Sequence, residues 1–195
     1  MHLWTLLTLA AALALPLASP ARAGEKPLTR DGLLAVLKSD QVWCSGWRDN
    51  DQSCEDIAFS ELQGDKVRQI SRYRMSAVPN LEMVVRETVN VEGNALCSTF
   101  RFNDLDILVL VDDQPAPVEQ AAPILAILAQ SMAHLEGKKS CEAYRRNDAT
   151  GELKASVTLD GQAAPEFDST YRLLKPDTRI LLRPIFEDEE EPTAV

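Results

Sequence analysis

The sequence predicts an α+β domain: an antiparallel β-sheet packed against one short N-terminal and one long central helix, built as a degenerate internal duplication of a helix followed by hairpin strands. Three observations carry that expectation. A pattern of Cys, two residues, an aromatic, Arg, one residue and Asn-Asp occurs three times, starting at Cys44, Cys97 and Cys141. The first and third copies align without a gap from Cys44–Gly64 to Cys141–Gly161, at a constant offset of 97. A helical segment leads into each of these two copies.

At the start of the chain, an apolar stretch from Leu3 to Leu17 is followed by Ser19-Pro20-Ala21-Arg22-Ala23, which reads as a secretory signal peptide over residues 1-23 cleaved between Ala23 and Gly24. The stretch is shorter than the roughly 20 residues of a bilayer span, so no stable membrane anchor is expected. Residues 24-186 then form a single domain, with pseudo-repeats over about 28-75 and 118-185 and an extra hairpin over about 81-112. The acidic end, residues 187-195, is too polar to pack and reads as a disordered tail.

The first helix is expected around Thr29–Lys38, because Thr29 suits an N-cap, Asp31 suits the positive end of the helix dipole, and Leu33, Leu34, Val36 and Leu37 supply an apolar face. The second runs from about Val118 to Glu136 and stops at Gly137. Its Ile124, Leu125, Ile127, Leu128, Met132 and Leu135 make it apolar on most sides, which predicts a largely buried helix. Strands are expected over 57–62, 66–75, 81–91, 95–102, 105–111, 141–146, 153–159, 171–175 and 179–184. In each motif copy the Asn-Asp should reverse the chain, since both residues tolerate turn geometry and bond their own main chain. Alternation then places the Cys and the Arg on one strand face and the aromatic on the other, toward the core.

That hairpin reading also favours one of the three possible pairings of four cysteines. Cys54 falls just past the first turn, opposite Cys44; Cys97 and Cys141 hold equivalent positions in neighbouring copies. The expected bridges are Cys44–Cys54 and Cys97–Cys141, formed in the periplasm or after secretion.

The formal charge of −10 disfavours nucleic acid as a partner. Arg68, Arg72 and Arg74 run against this balance and share one strand face, which suits a small anionic ligand or an acidic patch on an envelope protein. His134 is the one histidine after the signal peptide, and with no G-x-S-x-G elbow it reads as a helix-end residue. The stretch from Asp49 to Asp56 begins like a calcium loop, but Cys54 and Ser60 stand where the turn glycine and the bidentate glutamate belong. Asp104, Asp106, Asp112 and Asp113 offer carboxylates without a spacing that selects a pair. No cofactor motif is present: there is no Walker or Rossmann glycine run, no H-E-x-x-H and no C-x-x-C, so no cofactor is expected.

The functional expectation is an exported, disulfide-stabilised envelope or secreted protein acting as a non-catalytic binding or protective module. One alternative is a small hydrolase using carboxylates at the hairpin turns, Asp51, Asp104 and Asp148; another is an inhibitor presenting the Cys44–Cys54 hairpin. The repeated Arg48, Arg101 and Arg145 carry no assigned role.

Overall fold

Eight strands, each hydrogen-bonded antiparallel to the next along the chain, close on themselves in a computed structural model that describes residues 24–185. They are β1 (Val42–Ser45), β2 (Asp56–Gln63), β3 (Lys66–Ser76), β4 (Leu81–Glu92), β5 (Ala95–Thr99), β6 (Lys139–Asn147), β7 (Leu153–Leu159) and β8 (Ser169–Leu174). β8 returns to β1, with Leu173 opposite Trp43, and so completes an up-and-down barrel. The expected signal peptide and disordered acidic tail lie outside the described residues.

This architecture corrects the expected α+β layering: the described residues are 50% strand and 20% helical, and the sheet buries its inner face against itself. Nearly every strand was expected close to its observed place. What local pattern does not reveal is that β5 pairs with β6 and β8 with β1, since pairing between distant strands leaves no periodic signal in either one. Once a sheet of eight twisted strands closes, its inner face turns on itself and only the two ends remain for helices to cover.

Helix α1 (Arg30–Leu37) forms as its sequence requires, with the Thr29 hydroxyl accepting from the Gly32 N–H at 3.1 Å. It plugs one end of the barrel. Its Leu33, Val36 and Leu37 pack on Val67, Val89, Val91, Leu96, Leu153 and Ala155, with Trp43 and Tyr144 completing the core. Helix α2 (Val118–Met132) was expected to be buried, and it is not. No residue along it is buried, and Val118 and Ile127 are 77% and 69% exposed. It lies at the opposite end, where Leu128 and Met132 face Met83, Val85 and Ile107. Pro123 interrupts its backbone bonding, and with no sheet face left to cover, its apolar residues are only partly sheltered.

The expected duplication is not repeated in three dimensions. Cys44 lies opposite Ile57, 13 residues on, whereas Cys141 lies opposite Thr158, 17 residues on. Gly46 adopts φ +57° and ends β1, so Trp47 sits half-buried at the rim while its counterpart Tyr144 is fully buried. The second copy does not reverse the chain at all. β5 and the later strand Asp106–Val111 both run antiparallel to β4, so the short 3-10 turn Phe102–Asp104 is an excursion from one continuing arm. The two hairpins that close these arms do match: Ala116 N donates to Val109 O and Ala164 N to Val157 O, each at 2.9 Å.

The disulfides join Cys44 to Cys54 and Cys97 to Cys141. All four cysteines alternate with lumen-facing or core residues, or lie beside them, so the bridges brace the barrel from outside. The second spans β5 and β6, where Cys97 faces Cys141 directly. Two disulfides are those of a protein that matures in an oxidising compartment. Among the described residues no helix is long and apolar enough to cross a membrane.

The first bridge is clamped rather than presented. The short strand Leu181–Leu182 pairs with Ser53–Cys54, and the buried Arg183 guanidinium donates to Ser53 O (3.2 Å), Ser53 Oγ (2.9 Å), Gly46 O (2.8 Å) and Glu55 Oε1 (3.0 Å). A loop held this way does not project as an inhibitory hairpin would.

Two stability measurements follow. Leu33→Ala, at a fully buried position in the plug, should lower the unfolding free energy by about 2–5 kcal/mol in urea titration. Replacing Cys97 and Cys141 together by Ser should cost about 2–5 kcal/mol relative to the oxidised protein.

Candidate functional site in the barrel lumen

The barrel interior changes character along its axis. At the α1 end the inward residues are Leu62, Val67, Val91 and Leu153; at the other end they are Asp56, Ser71, Tyr73, Glu87, Ser98, Ser140, Glu142, Ser169 and Tyr171. The antiparallel meander explains the grouping. Asp56, Ser140, Glu142 and Ser169 stand early in strands that run from the mouth toward α1, and Ser71, Tyr73 and Ser98 late in strands that run back. Even numbers face in on β2 and β6, odd numbers on β3, β4 and β8, so one ring of the barrel gathers polar side chains from most of the strands.

Small residues at these positions leave the mouth half open. One lobe of about 360 Å³ reaches down to Trp43, Ala58 and Tyr144. A second, of about 300 Å³, extends under α2 between Met83, Val85, Ile107, Leu128 and Met132. Both lobes are lined by Gln69, Tyr73, Glu87, Phe100, Ser140 and Glu142, so they adjoin across these six side chains. Phe100, Leu135 and Phe167 stand around the first lobe at the mouth.

Three carboxyls face this space, and among the described residues no lysine, arginine or histidine lines either lobe. Burial penalises their charged forms. It pushes Glu142 up to about 7, against the pull of hydrogen bonds from Tyr144 and Tyr171, and the charges of Glu87 and Asp56 push further in the same direction. Burial raises Glu87 with no opposing contact. It raises Asp56 as well, where Ser45 hydrogen-bonds the carboxyl and the Glu55 charge adds to the shift. The phenols of Tyr73, Tyr144 and Tyr171 are raised by burial first and by these carboxyls second, so they stay protonated and act as donors. Tyr171 Oη donates to Glu142 Oε1 at 3.3 Å. Trp43 meets Tyr144 and Tyr171 edge to face, with ring centroids 5.3 and 5.6 Å away.

The residues singled out from sequence lie elsewhere. Arg68, Arg72 and Arg74 share the outer face of β3: Arg68 pairs with Glu61, Arg72 with Glu82 and Asp113, and Arg74 Nη1 donates to the Leu182 carbonyl. Asp148, at the β6–β7 turn, lies at the opposite end of the barrel from Asp51 and Asp104, so the three turn carboxylates do not converge on one site. Asp49 is held by Trp47 Nε1 and Arg172, Asp51 by Ser53 Oγ, and Asp56 points into the lumen, which disperses the calcium-like run. Asp106 pairs with Arg86 at 3.2 Å, and Asp112 and Asp113 form a tight turn at positive φ. His134 Nδ1 contacts the Ser131 carbonyl at 2.9 Å on the surface. Arg48 and Arg145 are exposed near turns, and Arg101 borders a small outer pocket beside Asp104. Glu92, Cys97 and Cys141 crowd together, but both sulfurs are spent in the disulfide and Glu92 accepts from Lys139 Nζ at 2.6 Å.

Motif and turn positions do not single out the lumen carboxyls Glu87 and Glu142, and they place Asp56 only in a calcium-like run. Their signal lies in strand alternation: in Val85-Arg86-Glu87-Thr88-Val89 the glutamate shares the face of two valines.

No protein-family model matches the chain, and no curated protein or solved structure is significantly similar to it.

The raised Glu142 makes a pH prediction with a definite sign. Its carboxyl ionises near 4.5 in the unfolded chain and near 7 in the fold, so the unfolded state loses its proton first and stability falls as pH rises across that window. Glu142→Gln should therefore be more stable than wild type at pH 8 by up to about 3 kcal/mol, and the difference should vanish by about pH 4.5. Urea unfolding of both proteins at the two pH values checks it.

Proposed function

We propose that the chain is an exported binding barrel, working in the periplasm or outside the cell, that takes one small molecule into its lumen through the mouth beside α2. The observation that carries this reading is the unfilled mouth half. Eight-stranded barrels have an interior that side chains can just fill or that can hold one small ligand. Here the α1 half is packed by Trp, Tyr, Leu and Val, while Ser71, Ser98, Ser140 and Ser169 occupy inward positions around the open half. A cavity of this size with apolar walls and a few convergent polar groups suits a small-molecule site.

The geometry favours binding over turnover. The lumen carboxyls and phenols are surrounded by packed strands, and the turn carboxylates that a hydrolase would draw on are separated. The outward Arg68, Arg72 and Arg74 remain a proposed contact surface for an acidic envelope partner or a small anion, alongside the lumen.

Titration with the neutral fluorophore N-phenyl-1-naphthylamine should show saturable binding of one probe per chain. Ser71→Trp and Ser140→Phe, which fill the mouth half, should abolish it while leaving the far-ultraviolet circular dichroism unchanged. Undiminished probe binding by both folded variants would sink the lumen reading.

A further inference from the structure

Resting on the lumen reading, we infer that the occupant is an organic cation: an amine or quaternary ammonium carried on an apolar or aryl body, with Glu142 as the charge partner and Glu87 and Asp56 flanking it. The first support is the distribution of counter-charges. Outside the lumen the carboxylates find basic partners readily: Glu82 has Arg72, Asp106 has Arg86, Asp49 has Arg172 and Glu55 has Arg183. Inside, three carboxyls face one cavity with no basic side chain among its lining residues. Glu87 has neither an ion pair nor a hydrogen bond among the described residues, although burial weighs against its charge. Buried carboxyls without a counter-charge are costly, and a bound cation removes that cost.

The walls supply the second support. Trp43, Tyr73, Tyr144 and Tyr171 gather beside the carboxyls, and aromatic faces attract cations through their quadrupoles, most strongly where water is excluded. The Tyr171 hydroxyl engages Glu142 at 3.3 Å through Oε1, a long contact that a stronger charge-assisted bond from an ammonium outcompetes or complements.

The shape of the cavity supplies the third. Glu87 and Glu142 stand where the lobes adjoin; the lobe that descends to Trp43 adds Asp56 and the aromatic rings, whereas the lobe under α2 adds Met83, Val85, Ile107, Leu128 and Met132. A ligand with its charged head at Glu142 therefore lays an apolar body toward α2. A molecule charged throughout, such as a bare metal ion or a polyamine, leaves that second lobe unused, and an anion meets three carboxyls.

Three probes sharing one body test this by calorimetry on the full chain at pH 8, above the raised Glu142 value of about 7: 3-phenylpropylamine, 3-phenylpropanol and 3-phenylpropionate. The amine should bind about tenfold tighter than the alcohol or better, and the propionate should not bind measurably. Glu142→Gln should lower the amine's affinity about tenfold and leave the alcohol's unchanged. Alcohol or propionate binding as tightly as the amine would overturn the inference. So would an amine-to-alcohol ratio left unaltered in both Glu142→Gln and Glu87→Gln. If the neutral naphthylamine probe occupies the lumen and the amine does not, the cation fails while the binding barrel stands; if neither binds, both fail together.

Discussion

The pairing of β5 with β6 is the contact on which the rest of the molecule depends. Without it the meander is a curled sheet with two bare edges and no inside. β5 is only five residues long, and its ladder to β6 runs over Ala95–Thr99 against Lys139–Ala143, so little backbone bonding holds the closure. The chain spanning the two strands carries α2 and the Asp106–Val111 strand, and closing so long a loop is entropically unfavourable. The Cys97–Cys141 bridge sits on this ladder and removes that freedom from the unfolded chain. Closure also eliminates the edges that invite aggregation.

Closure then forces a division of labour inside. Each strand delivers alternate side chains to the lumen, and the direction in which it runs decides which of its ends meets the α1 plug. One half becomes a conventional core around Trp43 and Tyr144, while the other holds acids that destabilise the fold at neutral pH. Retaining polar groups that cost stability is what functional sites commonly do. The same strand can serve both ends, as β6 does with Glu142 toward the mouth and Tyr144 toward the core.

Much of the local structure was legible in the sequence, and the reason is physical. Thr29 and the apolar face of α1 identify that helix because capping and periodicity are local. β7 was expected from Leu153 to Leu159 and runs between those residues, bounded by turn residues on either side. The Cys44–Cys54 pairing followed from its closeness in the chain, whereas Cys97–Cys141 was expected only from equivalent motif positions. The long apolar segment around Ile124–Leu128 misled, because apolarity implies burial only when a face is available to cover. Closure and the gathering of Asp56, Glu87 and Glu142 from three distant strands are tertiary facts: the acids are 31 and 55 residues apart and nothing in a single window relates them. Trp47 and Tyr144, identical in motif position, ended in different environments because one glycine with positive φ broke the alternation between them.

The excursion between β5 and the Asp106–Val111 strand has a kinetic consequence. β4 pairs with Asp106 at Arg86 and next with Cys97 at Asn90, so Glu87, Thr88 and Val89 face a gap lined by Ser98, Phe100, Arg101 and Leu105. The wall of the barrel thus has a gap in its hydrogen-bonded ladder at the level of the acidic ring, closed by side chains. Widening it calls for rotation of groups such as Phe100, a motion of nanoseconds when lightly packed, and spares the strand pairing that sets global stability. For the proposed binding barrel, exchange of a ligand through this gap would not require the fold itself to open.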